Sequence, residues 1–294
     1  MSTSQQTFSV GELRVTLACP STNWSFVKED PTPRFFVDSD GDLQLKVTAE
    51  SEKNIPLPAG VSLRAPNPWR IVRSAGDIWL FTNRHEGTPV RVLHVNSEWK
   101  TGTVYLNRAV PRIETAFPLE PPLGELLFNH WAPWKDALIL HAATLVQDGR
   151  AIVAIGHSGA GKSTVSRLWS ERFGPNTVLT DERTLIRRES NGRWLAYGTP
   201  WQGSGAFSSP IGASLVHLVL LEKCPRNEWK TQSRTVATSN LLAHAFVPPV
   251  DRLTVEQSGE VAARMASDIP WTQFSFSIGP EAPEFLSRQV NERA

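Results

Sequence analysis

The sequence predicts an α/β protein in two parts, a mostly β N-terminal domain and a C-terminal domain that mixes strands with helices. Short β-prone runs separated by turn residues fill the chain from Thr7 to about Ile113. The composition changes at the Pro-rich stretch Pro118–Pro122. Beyond it, an apolar strand pattern leads into a glycine-rich loop and then a helix-forming segment. We therefore predict domains at residues 1–120 and 121–294.

Tight turns organise the predicted N-terminal strands. The Asp/Gly-containing segments Asp38–Asp42 and Ser74–Asp77 have the chemistry of turns between neighbouring strands, which predicts antiparallel meanders. The predicted strand regions are ELRVTLAC, RFFVDSDGDLQLKV, RIVRSAGDIWLF, VRVLHVN and TGTVYLN.

The C-terminal half combines a hairpin, buried strands and helices. The apolar spacing of LGELLFNHWAPW predicts a short helix, and the turn Gln147–Arg150 joins ALILHAATLV to AIVAIG as a hairpin. We also predict a polar tail after the last strand region, WTQFSFSI. The remaining predicted elements are a helix in KSTVSRLWSERF, strands in NTVLTDE, RTLIRR, SLVHLVLLEK and WTQFSFSI, and helices at Ser239–Phe246 and Thr254–Ser267.

Composition disfavours several classes of function, although a local basic patch stays open as an alternative. Thirty basic and 29 acidic residues give a formal net charge of +1, which provides no electrostatic footprint for nucleic acid. The chain has no uninterrupted apolar run of about 18 residues, so no membrane span is expected. Two cysteines, Cys19 and Cys224, lie too far apart to indicate a disulfide framework or a metal site, and the cytoplasm is the expected location.

The strongest motif is the loop Gly156–Ser163, which matches G-x-x-x-x-G-K-[ST] between a predicted strand and a predicted helix. In such loops, backbone N–H groups and the helix N-terminus converge on phosphate oxygens, so ATP and Mg²⁺ are the expected cofactors. Lys162 would bridge the β- and γ-phosphates, and the Ser163 hydroxyl would bind Mg²⁺. The alternative is a glycine-rich turn with a fortuitous Lys-Ser pair. The predicted nucleotide-binding residues are Gly156, His157, Ser158, Gly159, Ala160, Gly161, Lys162, Ser163 and Thr164.

Asp181 and Glu182 are the candidates for metal binding and acceptor activation. They end the β-like run Thr177–Thr180, and Asp181 lies only 19 positions after Lys162. One carboxylate can bind Mg²⁺, directly or through water, while the other accepts a proton from an attacking hydroxyl. Without the glycine loop, an ordinary acidic turn would be the better interpretation.

These residues resemble the HPr kinase/phosphorylase family, whose nucleotide-binding domain is related to phosphoenolpyruvate carboxykinases. The loop GHSGAGKS looks like the family's G-x-S-G-x-G-K-S form, a strand with His141 precedes it through a short turn, and LTDE stands at the position of the family's paired acidic residues. The resemblance covers about Leu126–Ile278 and is absent before Pro118. It implies an α/β, P-loop, HPr-kinase/carboxykinase-like C-terminal domain.

The resemblance also implies roles for individual residues. Asp181 would be the general base, Ser163 with Glu182 would help to hold Mg²⁺, and His141 would lie near the transferred phosphate. From residue type alone, a His in an apolar strand is more often a satisfied core histidine. Glu182 stands where the family often has Asp, and this departure leaves its direct metal contact open.

A second stretch, Gly198–Gly205, resembles a TPW-containing loop of divergent HPr-kinase-like proteins. Its glycines and Trp201 suit either a loop that closes over a site or a surface turn with a packed Trp. The Glu/Arg/Gly-rich signature of bifunctional members is not evident after Asp181-Glu182. Dephosphorylation of the product and HPr itself as substrate are therefore less favoured.

The favoured function is an ATP-dependent kinase that transfers the γ-phosphate to a hydroxyl, with a Ser of a peptide or small protein as the leading acceptor. The family includes kinases that modify ribosomal peptides such as lasso-peptide precursors, so peptide tailoring is a candidate role. A nucleotide-sensing protein without transfer and a small-molecule kinase are the alternatives. Family members are often oligomeric, and a homo-oligomer is a candidate assembly.

Overall fold

The N-terminal strands form one mixed sheet in the computed structural model, which describes residues 3–62, 67–83, 87–248 and 251–292. Strands β5 to β8 form an antiparallel meander, as predicted, whereas β4 runs parallel to both β2 and β8. Within the described residues the order is β3-β1-β2-β4-β8-β7-β6-β5. The strands are β1 (Ser4–Val10), β2 (Leu13–Cys19), β3 (Phe36–Val37), β4 (Leu43–Glu50), β5 (Trp69–Ser74), β6 (Asp77–Asn83), β7 (Pro89–Val95) and β8 (Thr101–Asn107).

One of the two predicted turns closes a hairpin and the other does not. Ala75 and Gly76 both have positive φ, 51° and 89°, and they join β5 to β6 as a two-residue turn, because this geometry matches the twist of the paired strands. The prediction for Asp38–Asp42 is wrong. This segment joins β3 to β4, but β3 pairs with β1 whereas β4 pairs with β2 and β8, so it connects strands that are not neighbours.

Contacts along the chain define two compact units, residues 1–131 with 248–252, and residues 132–247 with 253–294. The helix predicted near residue 123 is present as α1 (Leu123–Trp131), and it belongs to the N-terminal unit. The predicted boundary after residue 120 precedes this helix. Phe128 of α1 packs edge-on against Phe8 of β1, which joins α1 to the aromatic core of the N-terminal unit.

A buried polar cluster completes the N-terminal unit. The carboxylate of Asp251 accepts hydrogen bonds from Arg73 Nε at 3.0 Å and Arg73 Nη2 at 2.5 Å, and His130 Nε2 lies 2.8 Å from Asp251 Oδ2. His130 is fully buried, and Trp99 packs against its ring. Burial lowers the pKa of His130 to about 4, the Asp251 carboxylate opposes this shift and Arg73 adds to it. The imidazole is therefore neutral at neutral pH.

We expect His130 to make the N-terminal unit sensitive to acid. Its pKa in the fold, about 4, lies below the ordinary value of 6.5, so the unfolded chain binds more protons between these two pH values. Stability is then fully present above about pH 6.5 and is lost as the pH falls toward 4. Urea unfolding at several pH values should show this slope, and His130→Gln should reduce it. An unchanged slope in the variant would contradict the assignment.

The C-terminal unit contains a second mixed sheet. Its described strands follow the order β10-β9-β12-β13-β14-β16-β15, with β11 paired to β9. Because β10 also pairs with β14, the pairings of β9, β10, β14, β13 and β12 close a ring. The strands are β9 (Ala137–Gln147), β10 (Arg150–Ile155), β11 (Val178–Thr180), β12 (Arg183–Arg188), β13 (Trp194–Tyr197), β14 (Gly212–Lys223), β15 (Glu228–Thr231) and β16 (Trp271–Phe276).

Helices cover both faces of this sheet. On one face, Trp169 and Leu286 belong to a buried cluster with Ala154. On the other face, Leu241 and Met265 pack in a cluster that contains Val153. The alternation of neighbouring β10 residues between the two clusters follows the two-residue period of a strand. The helices are α2 (Lys162–Phe173), α3 (Arg234–His244), α4 (Arg252–Asp268) and α5 (Glu281–Asn291).

The protein is thus a sheet-rich mixed α/β protein, and most predicted elements of its C-terminal half are present. The hairpin is confirmed: β9 and β10 pair through Asp148 and Gly149, whose φ values of 51° and 73° are both positive. The predicted polar tail is wrong, because its apolar residues at helical spacing bury one face of α5. Strands β13 and β15 were not predicted. Among the described residues, no helix is both long and apolar enough to cross a membrane.

Candidate functional site

Three strands that run in the same direction bring the site together. Strand β9 is antiparallel to both β10 and β11, so these two run the same way, and β14 is parallel to β10. Their carboxyl ends deliver the glycine loop (residues 156–163), the acidic pair Asp181-Glu182 and Lys223. Ligands commonly bind at such carboxyl ends in α/β sheets.

The conformation of the glycine loop depends on close packing. Gly161 has φ 106°, and a Cβ there would lie 2.6 Å from Cζ of Phe276. A Cβ at Gly156 would lie 2.7 Å from the Cβ of Ala160, so both positions need a residue without a side chain. Helix α2 begins at Lys162, and Gly161 provides no side-chain cap. The first N–H groups of α2 are therefore not capped by a preceding side chain, which suits an anion.

Lys162 folds back over the loop that precedes it. Its Nζ donates a hydrogen bond to the carbonyl oxygen of Gly156 at 2.8 Å, and the side chain is buried. Burial lowers the pKa of Lys162, and the charges of Glu182 and Asp181 partly oppose this shift. The ammonium group of Lys162 therefore lies close enough to the acidic pair for both carboxylates to affect its pKa.

The acidic pair forms a two-residue bend between β11 and β12, both of which pair with β9. The register of β11 against β9 is irregular between Val178 and Thr180, and such irregularities re-aim side chains next to sites. The Thr180 hydroxyl accepts hydrogen bonds from the backbone N–H groups of Glu182 and Arg183 at 3.3 and 3.4 Å. The bend is therefore held by the residue that precedes it.

Asp181 is fully buried, and a turn of the loop Gly198–Ser209 packs against it. The backbone N–H of Gly205 donates a hydrogen bond to Asp181 Oδ2 at 2.8 Å. A Cβ at Gly205 would lie 2.6 Å from the same oxygen, and one at Gly203 would lie 3.1 Å from Oδ1. Oδ1 is buried and has no hydrogen-bond partner among the described residues. An unpaired buried carboxylate oxygen costs about 1–3 kcal/mol or more, so this atom is suited to receive a ligand.

The same turn connects Asp181 to the glycine loop. Ser204, between the two glycines, has its Oγ 3.4 Å from Oγ of Ser163. Trp201 is buried, which agrees with the interpretation of a packed Trp. The loop is attached to β11, because the N–H of Ser209 donates a hydrogen bond to the carbonyl oxygen of Leu179 at 2.9 Å.

His141 lies beside Glu182. Its Nε2 is 3.4 Å from Glu182 Oε2, and both side chains are about 30% exposed. Burial lowers the pKa of His141 and the charge of Lys162 lowers it further, while Glu182 raises it. His141 is thus a partly exposed histidine of the site and not an enclosed core residue.

A cavity of about 240 Å³ unites most of the predicted residues, namely His141, Ser158, Gly159, Gly161, Lys162, Ser163, Thr164 and Glu182. Asp181 does not line this cavity. The turn at Gly203–Gly205 packs against Asp181 and also places Ser204 next to Ser163. Gly156, His157 and Ala160 are loop residues outside the lining. A larger cavity of about 640 Å³ lies beside β1 and β3, but none of its described lining residues is basic, so it is poorly suited to phosphate.

Lys223 also lines the cavity, and no role was predicted for it. The sequence feature that could have indicated Lys223 is its position at the end of a strongly apolar strand. This position becomes informative only when β14 is known to lie beside β10. Two nearby arginines have partners of their own: Arg188 is 3.5 Å from Asp268, and the Arg183 guanidinium stacks 4.9 Å above the ring of Phe246.

The predicted metal ligands are a hydroxyl and two carboxylates. The described residues contain no cluster of three or more His, Cys, Asp and Glu side chains that could hold a metal ion. Mg²⁺ usually keeps several waters and takes only one or two carboxylates, so Ser163 and Glu182, which both line the cavity, are a donor set that fits it, whereas Asp181 lies outside the lining. The open loop and Lys162 likewise fit a polyphosphate.

Comparison with known proteins adds no relative. No family model matches the chain, and no curated protein matches it.

Proposed function

We propose that this protein is an ATP-dependent kinase of the HPr-kinase/carboxykinase-like P-loop type, which transfers the γ-phosphate to a hydroxyl of a peptide or small protein, with Ser as the favoured residue. One observation carries the proposal. The Asp181 carboxylate is buried, has one oxygen held by a backbone N–H and one without a partner in the described chain, and is connected to the glycine loop through Ser204. Such a carboxylate can accept the proton of an attacking hydroxyl, a step that nucleotide binding alone does not require.

Different residues of the site would perform different parts of phosphoryl transfer. The loop N–H groups, the start of α2 and Lys162 would bind the β- and γ-phosphates. Ser163 and Glu182 would hold Mg²⁺, which neutralises charge on the phosphate oxygens when it is bound. Asp181 would accept the proton of the acceptor hydroxyl. The lowered pKa of His141 favours its neutral form, which can act as a hydrogen-bond partner next to Glu182 without adding charge.

The test is phosphoryl transfer to candidate acceptors. The purified protein is incubated with γ-labelled ATP, Mg²⁺ and peptide or protein pools from its source, and labelled residues are located by mass spectrometry. Label on a Ser of a peptide or protein supports the proposal. Label on a metabolite identifies a small-molecule kinase. Tight ATP binding without any transfer would instead establish a nucleotide sensor.

We expect Gly205→Ala to impair transfer without unfolding the protein. The new Cβ would lie 2.6 Å from Asp181 Oδ2, so either the turn or the carboxylate must move. Small displacements of catalytic groups can cost about 10²-fold in rate, and a loss of this order in kcat is expected. Gly259→Ala is the matched control, because a Cβ at Gly259 meets no atom within 4 Å. Equal activity of the two variants would show that the contact with Asp181 is unimportant.

A further inference from the structure

Ser204 presents an exposed hydroxyl next to the glycine loop. The side chain is exposed, and its Oγ is 3.4 Å from Oγ of Ser163. This distance exceeds the 2.5–3.0 Å of ordinary hydroxyl hydrogen bonds. Ser163 is also the only hydrogen-bond partner of the Ser204 side chain within the described residues. The Ser204 hydroxyl thus lies next to the loop without forming a short hydrogen bond.

The turn that carries Ser204 is held in place on both sides. The N–H of Ala206 donates to the carbonyl of Gly203 at 3.2 Å, and the Gln202 amide donates to the carbonyl of Ala206 at 2.7 Å. The next residue, Gly205, donates its N–H to Asp181 Oδ2. Ser204 therefore lies on a turn that contacts both the candidate base and the phosphate loop.

We propose that Ser204 is an internal phosphate acceptor, phosphorylated by the site of its own chain; this inference rests on the proposed kinase function. In this reaction Ser204 Oγ forms a bond to the γ-phosphorus of ATP, and its proton passes to the Asp181 carboxylate. The bond between the γ-phosphorus and the β–γ bridging oxygen breaks, and ADP leaves with that electron pair. Intramolecular placement of the hydroxyl favours this reaction, because no second molecule has to be bound and oriented.

Phosphorylation of Ser204 would limit the activity of the site. A phosphoserine carries about −1.5 to −2 charges at neutral pH. Placed beside Asp181 and the Ser163 hydroxyl, it would repel the acidic pair and compete with nucleotide phosphates for Lys162 and Lys223. We therefore expect the modified chain to bind ATP more weakly than the unmodified chain does.

The test follows the chain itself without an added acceptor. Protein incubated with γ-labelled ATP and Mg²⁺ is digested with trypsin, and fragmentation of peptide 194–223 distinguishes Ser204 from Ser208 and Ser209. The expected result is one phosphoryl group on Ser204, added at a rate that does not depend on protein concentration. Ser204→Ala should abolish it, Ser204→Thr should retain it, and the exposed Ser190→Ala is the matched control.

The outcomes separate this inference from the proposed function. Transfer to an external acceptor with no label on the chain, or label that persists in Ser204→Ala, would overturn the inference and leave the kinase function intact. A rate that rises with protein concentration would overturn transfer within one chain. If ATP binds but neither the chain nor any acceptor is labelled, the kinase proposal fails and the inference fails with it.

Discussion

Asp181→Asn is expected to lower kcat for phosphoryl transfer by about 10²–10⁴-fold, the range typical for loss of a positioned general base. The amide has the shape of the carboxylate and can still accept the hydrogen bond from Gly205 through its oxygen, so the turn should stay in place. It cannot accept the acceptor's proton. Because the glycine loop and Lys162 are unchanged, the affinity for nucleotide should be retained, and calorimetric titration with ATP should show this.

The control for this variant is Asp148→Asn. Asp148 is exposed in the turn between β9 and β10 and has φ 51°, a conformation that Asn adopts readily. Its activity should equal that of the wild type. The role of Asp181 would be refuted if Asp181→Asn left transfer unchanged while Lys162→Ala abolished it, because the base would then lie elsewhere.

Trp169→Ala is expected to lower the free energy of unfolding by about 3–5 kcal/mol, the usual cost of removing a large buried aromatic side chain. Trp169 is fully buried on α2, its Nε1 donates to the carbonyl of Val146 at 3.2 Å, and its ring lies 4.6 Å from that of Phe173. The loss combines apolar burial with the cavity left between α2 and the sheet. Chemical denaturation followed by circular dichroism measures it.

Trp134→Ala is the matched control for this stability prediction. Trp134 is 40% exposed, so its removal leaves no closed cavity, and the expected loss is below about 1 kcal/mol. Similar losses for the two variants would show that α2 is not anchored through Trp169. Since α2 begins with Lys162 and Ser163, loosening of this helix would also displace the proposed phosphate site.

Elements with strong local signals were predicted well. The helix in KSTVSRLWSERF is present at Lys162–Phe173, because the glycine loop sets its start and Gly174, with φ 109°, ends it. The two hairpins with Ala75-Gly76 and Asp148-Gly149 were also predicted, since two successive residues with positive φ direct the chain back onto itself. In each case a few adjacent residues carry the information.

Elements that depend on distant partners were not predicted. Helix α5 was interpreted as a polar tail, because its apolar residues form only a narrow stripe. The stripe can be recognised as a buried face only when its contacts with the sheet and α2 are known. Strand β4 was assigned to an antiparallel arrangement, although it lies between β2 and β8 and runs parallel to both. Register between strands so far apart in sequence is set by burial of the whole sheet, and a local pattern does not encode it.

The candidate site shows the same division. Local sequence decides that a glycine loop follows a strand, that Lys162 and Ser163 open a helix, and that two carboxylates end a nearby strand. Only the order and direction of the strands decide that β10, β11 and β14 end together, which brings Lys223 to the cavity and the turn at Gly203–Gly205 onto Asp181. Covalent neighbours determine short-range conformation, whereas contacts between distant segments form only when the chain buries its apolar faces, and these contacts complete the site.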